Sequence, residues 1–157
     1  MTRAEILEDL KKKFKGEIID IIDKSEKRVY IEIHPRAIRA VAGYVFKDLG
    51  ARFNIASGVD LRDRMEILYH FTLEEINFLV SLRVNLPKDR LVIDSIAPLL
   101  EGANWIEREI HEMLGITFTG HPDMRRLLLP DEWPQDVYPL RNDYKEWDKK
   151  AVRDRGV

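Results

Sequence analysis

The sequence predicts an α+β fold, in which helices cover one face of a mostly antiparallel or mixed sheet of about five strands and an extended irregular C-terminal tail follows. Two observations predict the folded part: apolar residues recur with a helical period in several segments and alternate strictly in others. A third observation predicts the tail, because neither period continues beyond about Gly120. We therefore expect an α+β core domain over residues 1–120 and an extended tail over residues 121–157.

The first fifty residues predict a helix, a hairpin and a second helix. Residues 3–14 carry apolar side chains on one helical face, and residues 17–23 and 28–34 are two strands joined by a turn. Pro35 suits the first turn of the second helix, whose apolar stripe ends at Gly50. Each helix therefore has one face to bury, and the hairpin supplies two strands of the sheet.

The next fifty residues are expected to complete the sheet. Residues 52–56 are predicted to be a short strand with Phe53 and Ile55 facing the core, and residues 57–62 a loop. Residues 91–93 should form a brief extended piece and residues 95–100 a helical turn. Between them, apolar side chains alternate along two longer strands: Met65, Ile67, Tyr69 and Phe71, then Phe78, Val80, Leu82, Val84 and Leu86.

A third helix is expected in the first third of the stretch from Ala103 to Tyr144. Asn104 is suited to cap it, and Glu107 three residues later completes a capping box. Gly115 stands where helices commonly end. The apolar face of this helix is formed by Ile106, Ile110, Met113 and Leu114.

The tail carries bulky side chains without a regular period. Pro122 should make a rigid turn, after which Asp123 could cap a short helix through Leu128. Beyond Leu129 the large residues are Trp133, Tyr138, Leu140, Tyr144 and Trp147. Such a segment buries too little apolar area locally to offset its ordering entropy. We therefore expect the tail to lie on the surface of another protein and to be mobile in the isolated chain.

The composition excludes several classes of function. The chain has no cysteine, which excludes disulfides, thiolate-bound zinc, cysteine-ligated iron–sulfur clusters and a cysteine nucleophile. Its formal net charge of −2 gives no electrostatic reason to expect nucleic acid as a partner. No signal peptide is visible, and no apolar run approaches the roughly 20 residues of a membrane span. We expect any membrane attachment to come through partner proteins.

Four residues could in principle ligate a metal: Glu107, His111, His121 and Asp123. This reading would make the chain a stand-alone metal-dependent enzyme. A polar helix face followed by a turn explains the same residues. We favour the second reading because Arg108 stands where a carboxylate-bundle motif needs a glutamate three residues before the histidine.

Charged residues of the third helix and the tail are candidates for protein contacts. The carboxylates of the third helix belong to Glu107, Glu109 and Glu112. We interpret them as a solvated or partner-facing side of the helix, with Arg108 and Glu112 as an i, i+4 pair, and not as groups for acid–base catalysis. Arg125, Arg126 and Arg141 are surface charges or, alternatively, bidentate partners for carboxylates of another chain, a task that suits the planar guanidinium.

The same region carries many residues at fixed offsets: Gly102-Ala103-Asn104-Trp105, Glu107-Arg108-Glu109, Met113, Gly115-Ile116, Phe118, Gly120-His121-Pro122-Asp123, Arg125-Arg126 with Leu127, and Pro139-Leu140-Arg141 with Asp143. This series resembles the signature region of the C-subunit family of NADH:quinone oxidoreductase (respiratory complex I). The family includes the homologous subunit of archaeal membrane-bound [NiFe] hydrogenases and related complexes. The resemblance is close over the last third of the chain and extends to the first hundred residues only by pattern.

The resemblance implies a cofactor-free, non-catalytic subunit in the peripheral arm of a membrane-bound, ion-translocating redox complex. Such a protein docks and stabilises the large, [NiFe]-type partner (the D-like subunit), with iron–sulfur subunits as neighbours, on the cytoplasmic face of the cell membrane. Iron–sulfur clusters, and a [NiFe] centre in the hydrogenase-type complexes, would lie on those partners. Departures from the respiratory pattern at His111, Glu112 and Leu114 favour an energy-converting hydrogenase-type or related complex. The alternative is the C subunit of NADH:quinone oxidoreductase proper.

The partner interface that the resemblance implies spans the third helix, the turn after it and the tail. Its residues are Trp105, Glu107, Arg108, Glu109, His121, Pro122, Asp123, Arg125, Arg126, Trp133, Tyr138, Pro139, Leu140, Arg141, Asp143 and Tyr144.

Overall fold

The computed structural model describes residues 1–145, and this part of the chain contains three α-helices and seven strands. The helices are α1 (Arg3–Lys13), α2 (Ile38–Gly43) and α3 (Ala103–Leu114). The strands are β1 (Ile18–Ser25), β2 (Arg28–Ile33), β3 (Arg52–Asp60), β4 (Arg64–Leu73), β5 (Phe78–Pro87), β6 (Val92–Asp94) and β7 (Thr117–Thr119). Trp147, predicted to belong to the tail surface, lies outside the described residues.

Five strands form one sheet in the order β1-β2-β5-β4-β3. β2 and β5 run parallel, and the other neighbouring strands run antiparallel. β4 and β5 pair without a register shift from Arg64 opposite Pro87 to Leu73 opposite Phe78. Their alternating apolar residues therefore share one face. The mixed five-stranded sheet with its helices confirms the predicted α+β class.

The core lies between that apolar face and the helices. α1 contributes Ile6 and Leu10, while α2 contributes Ile38 and Val41, all buried. Burying one such side chain contributes roughly 1.5–3 kcal/mol to the stability of the fold. The packing on this face therefore stabilises the elements that carry the site. The predicted inward residues of the two long strands are all buried: Met65, Ile67, Tyr69, Phe71, Phe78, Val80, Leu82, Val84 and Leu86.

The first two helices lie close to their predicted bounds. α1 begins at a capping box in which Thr2 accepts the Glu5 N–H and Glu5 accepts the Thr2 N–H. Pro35 opens a 3-10 turn that leads into α2, and a π-helical turn continues α2 to Asp48. Pro35 fits that position because its missing N–H would be unpaired there anyway.

β3 is longer than predicted, and of its two predicted inward residues Phe53 packs against the core whereas Ile55 does not. It continues to Asp60, so residues 57–60, expected in a loop, pair with β4. The register shifts between Phe53 and Ile55, and this bulge leaves the Ile55 side chain 49% exposed. Ala56 is buried in its place. The prediction of an inward Ile55 is wrong because a bulge adds one residue and breaks the alternation that the prediction assumed.

The beginning of α3 also differs from the prediction. The N-cap is Gly102, which makes no side-chain capping bond, so Asn104 already lies inside the helix and the predicted capping box is absent there. Glu107 points into the interior, where it is fully buried. The C-terminal end is as predicted, because Gly115 adopts φ 78°, a left-handed conformation that suits glycine.

The segment after α3 forms a short strand and then leaves regular structure. β7 pairs in parallel with β6, and between β6 and α3 the backbone of residues 96–100 makes one helical turn. Residues 124–128 do not form the predicted short helix. Their backbone groups are bound by side chains of α3 instead, as described below.

Candidate docking site on the third helix and the tail

Arg108 fastens the first part of the tail to α3. Its side chain is largely buried, and it donates from Nε to the Arg125 carbonyl at 2.8 Å and from Nη2 to the Arg126 carbonyl at 2.8 Å. A planar guanidinium presents its donors as a rigid fork, which suits two neighbouring carbonyl oxygens.

Glu112, one turn further along α3, binds the next tail residues. Its buried carboxylate accepts the backbone N–H groups of Leu127, of Leu128 at 2.9 Å and of Leu129 at 3.2 Å. Hydrogen bonds to an ionised acceptor are stronger than neutral ones. The predicted i, i+4 pair is therefore wrong, because Arg108 and Glu112 each bind the tail backbone.

The rest of the described tail is attached at the C-terminal end of α3. The Leu140 N–H donates to the Met113 carbonyl at 3.1 Å, and Arg141 Nε donates to the Leu114 carbonyl at 2.7 Å. The Arg141 guanidinium also lies 4.3 Å from the centre of the Tyr138 ring. These contacts occupy carbonyls that the end of a helix leaves unpaired.

Glycine is required where this attachment meets the helix. A Cβ added at Gly115 would lie 2.6 Å from a ring carbon of Tyr138 and would also overlap the Arg141 guanidinium.

The tail also bonds to β3: Asn142 donates from its backbone N–H to Asp60 Oδ2 at 2.8 Å and from Nδ2 to the Asp60 carbonyl at 2.9 Å. The end of the described tail is thereby joined to β3.

The described part of the tail contacts the chain's own helix and sheet. The sequence predicts no place for residues 129–145 on the chain's own core, and the structure places them against α3 and β3. Trp133 and Tyr144 stack with ring centres 6.3 Å apart, and Arg126 donates to the Trp133 carbonyl at 2.6 Å. Local apolar area takes no account of hydrogen bonds to a distant helix, which is why these contacts were not predicted; that the tail lies on another protein and is mobile in the isolated chain stays a prediction.

A buried polar cluster also involves α3. Glu107 accepts the Ser95 hydroxyl through Oε2 and the Ile96 N–H at 2.8 Å through Oε1. Burial raises the pKa of Glu107 above its ordinary value, although the bonds from Ser95 and the Ile96 amide and the nearby His121 oppose that shift. The cluster therefore joins α3 to the loop after β6.

His121 extends this cluster to the start of the tail. Its fully buried ring accepts the Asp123 N–H at Nδ1, 3.0 Å away, while Nε2 lies 3.0 Å from the Asn104 carbonyl. A backbone N–H can only donate, so Nδ1 is the acceptor of the Asp123 bond and Nε2 donates to the Asn104 carbonyl. His121 thus orients the turn that begins the tail.

The four residues considered as metal ligands do not form a metal site. His111 bonds through Nδ1 to the Ile116 carbonyl at 2.8 Å. Asp123 accepts two bonds from the Arg125 guanidinium and one from the Arg125 backbone N–H, and these bonds hold the pKa of this carboxyl well below its usual range. Within residues 1–145, no group of three or more histidine, aspartate and glutamate side chains could hold a metal ion. The metal-enzyme alternative therefore has no support in the geometry of Glu107 and His121.

The residues predicted for the interface fall into three groups. Trp105, Glu109, Pro122, Arg125, Leu140 and Asp143 are exposed. Asp123, Arg126, Trp133, Tyr138, Pro139, Arg141 and Tyr144 are half-buried, most of them by the tail's contacts with α3 or within itself. Glu107, Arg108 and the ring of His121 are buried and bound inside the chain. Any direct contact with a partner therefore falls to the first group and the exposed edges of the second.

Some residues that hold the site were not singled out from the sequence. Ser95 binds Glu107, and Asp60, whose pKa is lowered by Lys88 and Asn142 despite burial, binds the tail. Gly58 lets β3 approach α3, since a Cβ there would lie 2.5 Å from Leu114. Residues 57–62 were predicted to be a loop, so nothing in that prediction marked the close approach at Gly58.

No helix within residues 1–145 is long and apolar enough to cross a membrane.

Comparisons with known proteins identify the family. The model of the family described as "Respiratory-chain NADH dehydrogenase, 30 Kd subunit" matches residues 31–150. The C subunit of NADH-quinone oxidoreductase from Chloroherpeton thalassium is 37% identical over 87% of this chain and 58% of its own length. The C subunit of F(420)H(2) dehydrogenase from Methanosarcina mazei is 32% identical over 98% of both chains. The chain thus spans little more than half of the first relative and nearly all of the second.

Two further comparisons concern length and fold. Hydrogenase-4 component G of Escherichia coli is 30% identical over 90% of this chain, but the match covers only 26% of that protein. A chain in the structure of the membrane-bound sulfane sulfur reductase, an archaeal respiratory membrane complex, has a TM-score of 0.78 and 19% identity, covering 98% of this chain and 90% of that chain. The second likeness shows a shared fold. From the family match over residues 31–150 and the nearly full-length relative, the chain belongs to the family of the 30 Kd subunit of respiratory-chain NADH dehydrogenase.

Proposed function

We propose that this chain is a peripheral subunit, with no redox centre of its own, of a membrane-bound, ion-translocating redox complex of the energy-converting [NiFe] hydrogenase type or a related type. The observation that carries the proposal is the match over 98% of both chains to the C subunit of an F(420)H(2) dehydrogenase. The 30% identity with hydrogenase-4 component G supports a hydrogenase-type complex. The absence of cysteine from the sequence agrees with electron transfer through other subunits.

Its role would be to dock and stabilise the large, D-like partner. Hydrogenase-4 component G supports this, because the matching region is joined there to a much longer polypeptide. In family members where the two parts are separate chains, non-covalent contacts must hold them together. The exposed side of α3 and the tail offer them: Trp105, Glu109, Pro122, Arg125, Leu140 and Asp143. Neighbouring iron–sulfur subunits would complete the arm on the cytoplasmic face of the membrane, and the membrane itself would be reached only through partners.

The three arginines have different parts in this proposal. Arg125 is the exposed one, with 83% of its side chain accessible, and it can exchange its bond to Asp123 for a carboxylate of a partner. Arg126 and Arg141 already bind carbonyls of the chain itself. They would therefore act on the partner mainly by positioning the tail.

The second candidate is the C subunit of NADH:quinone oxidoreductase proper. The 37% identity with the Chloroherpeton relative favours it. The two candidates differ in their partners, since only the respiratory complex would bring an NADH-oxidising module. The proteins that accompany the chain therefore decide between them.

The test is purification of the chain, tagged at its N-terminus, from membranes of its own host, followed by mass spectrometry. We expect one large subunit and iron–sulfur subunits in stoichiometric amounts, and a catalytic protein related to [NiFe] hydrogenases in place of an NADH-oxidising module. The chain purified alone should show no visible absorption and no stoichiometric metal. A chain that elutes without partners and retains iron, nickel or zinc after chelation would reject the proposal.

A further inference from the structure

An apolar groove opens between β3 and α3 beside the tail. It has a volume of about 190 Å³, and its lining includes Ile55, Ile106, Met113 and Leu140. Sites for drug-sized ligands usually have about 300–1,000 Å³. The groove is therefore of a size to receive apolar side chains of another protein segment and too small for most cofactors.

The groove is bordered by large apolar side chains that face solvent. Leu140 is 62% exposed and Ile55 is 49% exposed, and each comes from a different element. Trp105, which precedes the lining residue Ile106 on α3, is 68% exposed. A contiguous apolar patch with contributions from three elements is typical of an interaction site, whereas single exposed apolar residues are not.

Leu140 is held in this position by its backbone. The Leu140 N–H bonds to Met113, and the next residue, Arg141, bonds to Leu114. The chain thus orders the Leu140 backbone while leaving most of its side chain out of its own core. Ordering a residue costs free energy. An exposed side chain contributes no burial free energy to offset that cost unless a partner covers the groove.

The groove also carries a carboxylate that determines the chemistry of its occupant. Glu109 lines the groove and is exposed, and within residues 1–145 it makes no hydrogen bond or ion pair. Trp105 lies one helical turn before it on the same face. Covering an ionised carboxylate without a counter-charge is costly. A docked segment must therefore bring a cation, and a lysine or arginine there can also lie over the Trp105 ring.

We propose that this groove binds a segment of the large partner subunit that inserts an apolar side chain between Ile55 and Leu140 and places a lysine or arginine against Glu109 and Trp105. The inference rests on the proposed function. The long polypeptide attached to the matching region in hydrogenase-4 component G favours the large subunit as the occupant over a second copy of this chain.

The test measures how much large subunit remains with the tagged chain after dilution. Ile55→Asp should lower the recovered large subunit at least about tenfold, since central apolar contacts dominate interface affinity. Ile19→Asp is the matched control, because Ile19 is 50% exposed on β1, the strand at the opposite edge of the sheet. It should leave recovery unchanged. Glu109→Lys should also weaken binding and be rescued by Lys→Glu or Arg→Glu in the large subunit.

A photo-crosslinker in place of Trp105 identifies the occupant. A cross-link to a basic, apolar segment of the large subunit is the expected result. A cross-link to residues 146–157 of the same chain, to a second copy or to another subunit overturns the inference. Thermal unfolding of each variant checks folding, and if Ile55→Asp does not fold, Trp105→Ala replaces it. Equal recovery of the large subunit with Ile55→Asp and with Ile19→Asp rejects the groove as the docking site but leaves the proposed function standing. Failure of the unaltered chain to retain any large subunit rejects the proposed function as well.

Discussion

Replacing Glu112 by glutamine removes the charge to which the backbone amides of Leu127, Leu128 and Leu129 donate. The side chain is buried, so water cannot readily take its place. A hydrogen bond to a charged group contributes about 1.5–3 kcal/mol, and a buried donor left unpaired costs a similar amount. Glutamine keeps one acceptor oxygen but turns an NH2 group toward the remaining amides.

We expect Glu112→Gln to lose about 2–4 kcal/mol, because part of this bonding remains and such contributions are not additive. A chain of this size loses about 2–4 °C in melting temperature per kcal/mol, so the shift should be roughly 5–15 °C. Glu109→Gln is the matched control on the same helix, since Glu109 is exposed and should change stability by less than about 0.5 kcal/mol.

Circular dichroism during heating measures the shift, and amide hydrogen exchange locates it. The amides of residues 127–129 should exchange faster in Glu112→Gln, while those of β4 and β5 should keep their protection relative to global unfolding. If Glu112→Gln and Glu109→Gln have the same melting temperature and the tail amides of Glu112→Gln remain protected from exchange, the Glu112 carboxylate does not hold the tail.

Three further predictions concern Glu107, Gly58 and Gly115. Burial raises the pKa of Glu107 above its ordinary value, so the folded chain binds more protons than the unfolded chain as pH rises through the ordinary glutamate pKa, and stability falls there. Glu107→Gln should therefore gain melting temperature relative to the unaltered chain as pH rises above that pKa, and a pH-independent difference between the two melting temperatures would contradict this. Gly58→Ala should cost about 1–3 kcal/mol in denaturant unfolding because its Cβ would meet Leu114, whereas Gly16→Ala, with open space around it, should be neutral. Gly115→Ala should cost at least about 1–2 kcal/mol from its left-handed φ and should speed exchange of the Leu140 amide; unchanged exchange would mean that the tail does not depend on this close approach.

Deletion of residues 129–157 would test whether the tail stabilises the chain itself. The sequence alone predicts that the deletion leaves thermal unfolding nearly unchanged, because no periodic apolar segment is lost. The bonds from Arg141 to Leu114 and from Asn142 to Asp60 predict instead a measurable loss of stability. The same deletion should also remove Leu140 from the proposed groove and weaken docking of the large partner.

The sequence by itself determined the elements whose evidence is local. The alternation along β4 and β5 predicted the buried face of the sheet, and Gly115 predicted the end of α3. The offsets around α3 also indicated the family, which the family match confirms. These predictions succeeded because burial on one face of a strand or helix repeats with the period of the backbone.

Only the tertiary structure decided where the polar side chains of α3 point. Glu107 lies inside, Arg108 and Glu112 bind the tail, and Glu109 remains exposed, although all are charged residues of one helix. The bulge that turns Ile55 outward is equally invisible in the alternation. A hydrogen bond between a side chain and a backbone group 15 or more residues away leaves no periodic trace, because its energy depends on the distance in space that the fold creates and not on the spacing along the chain.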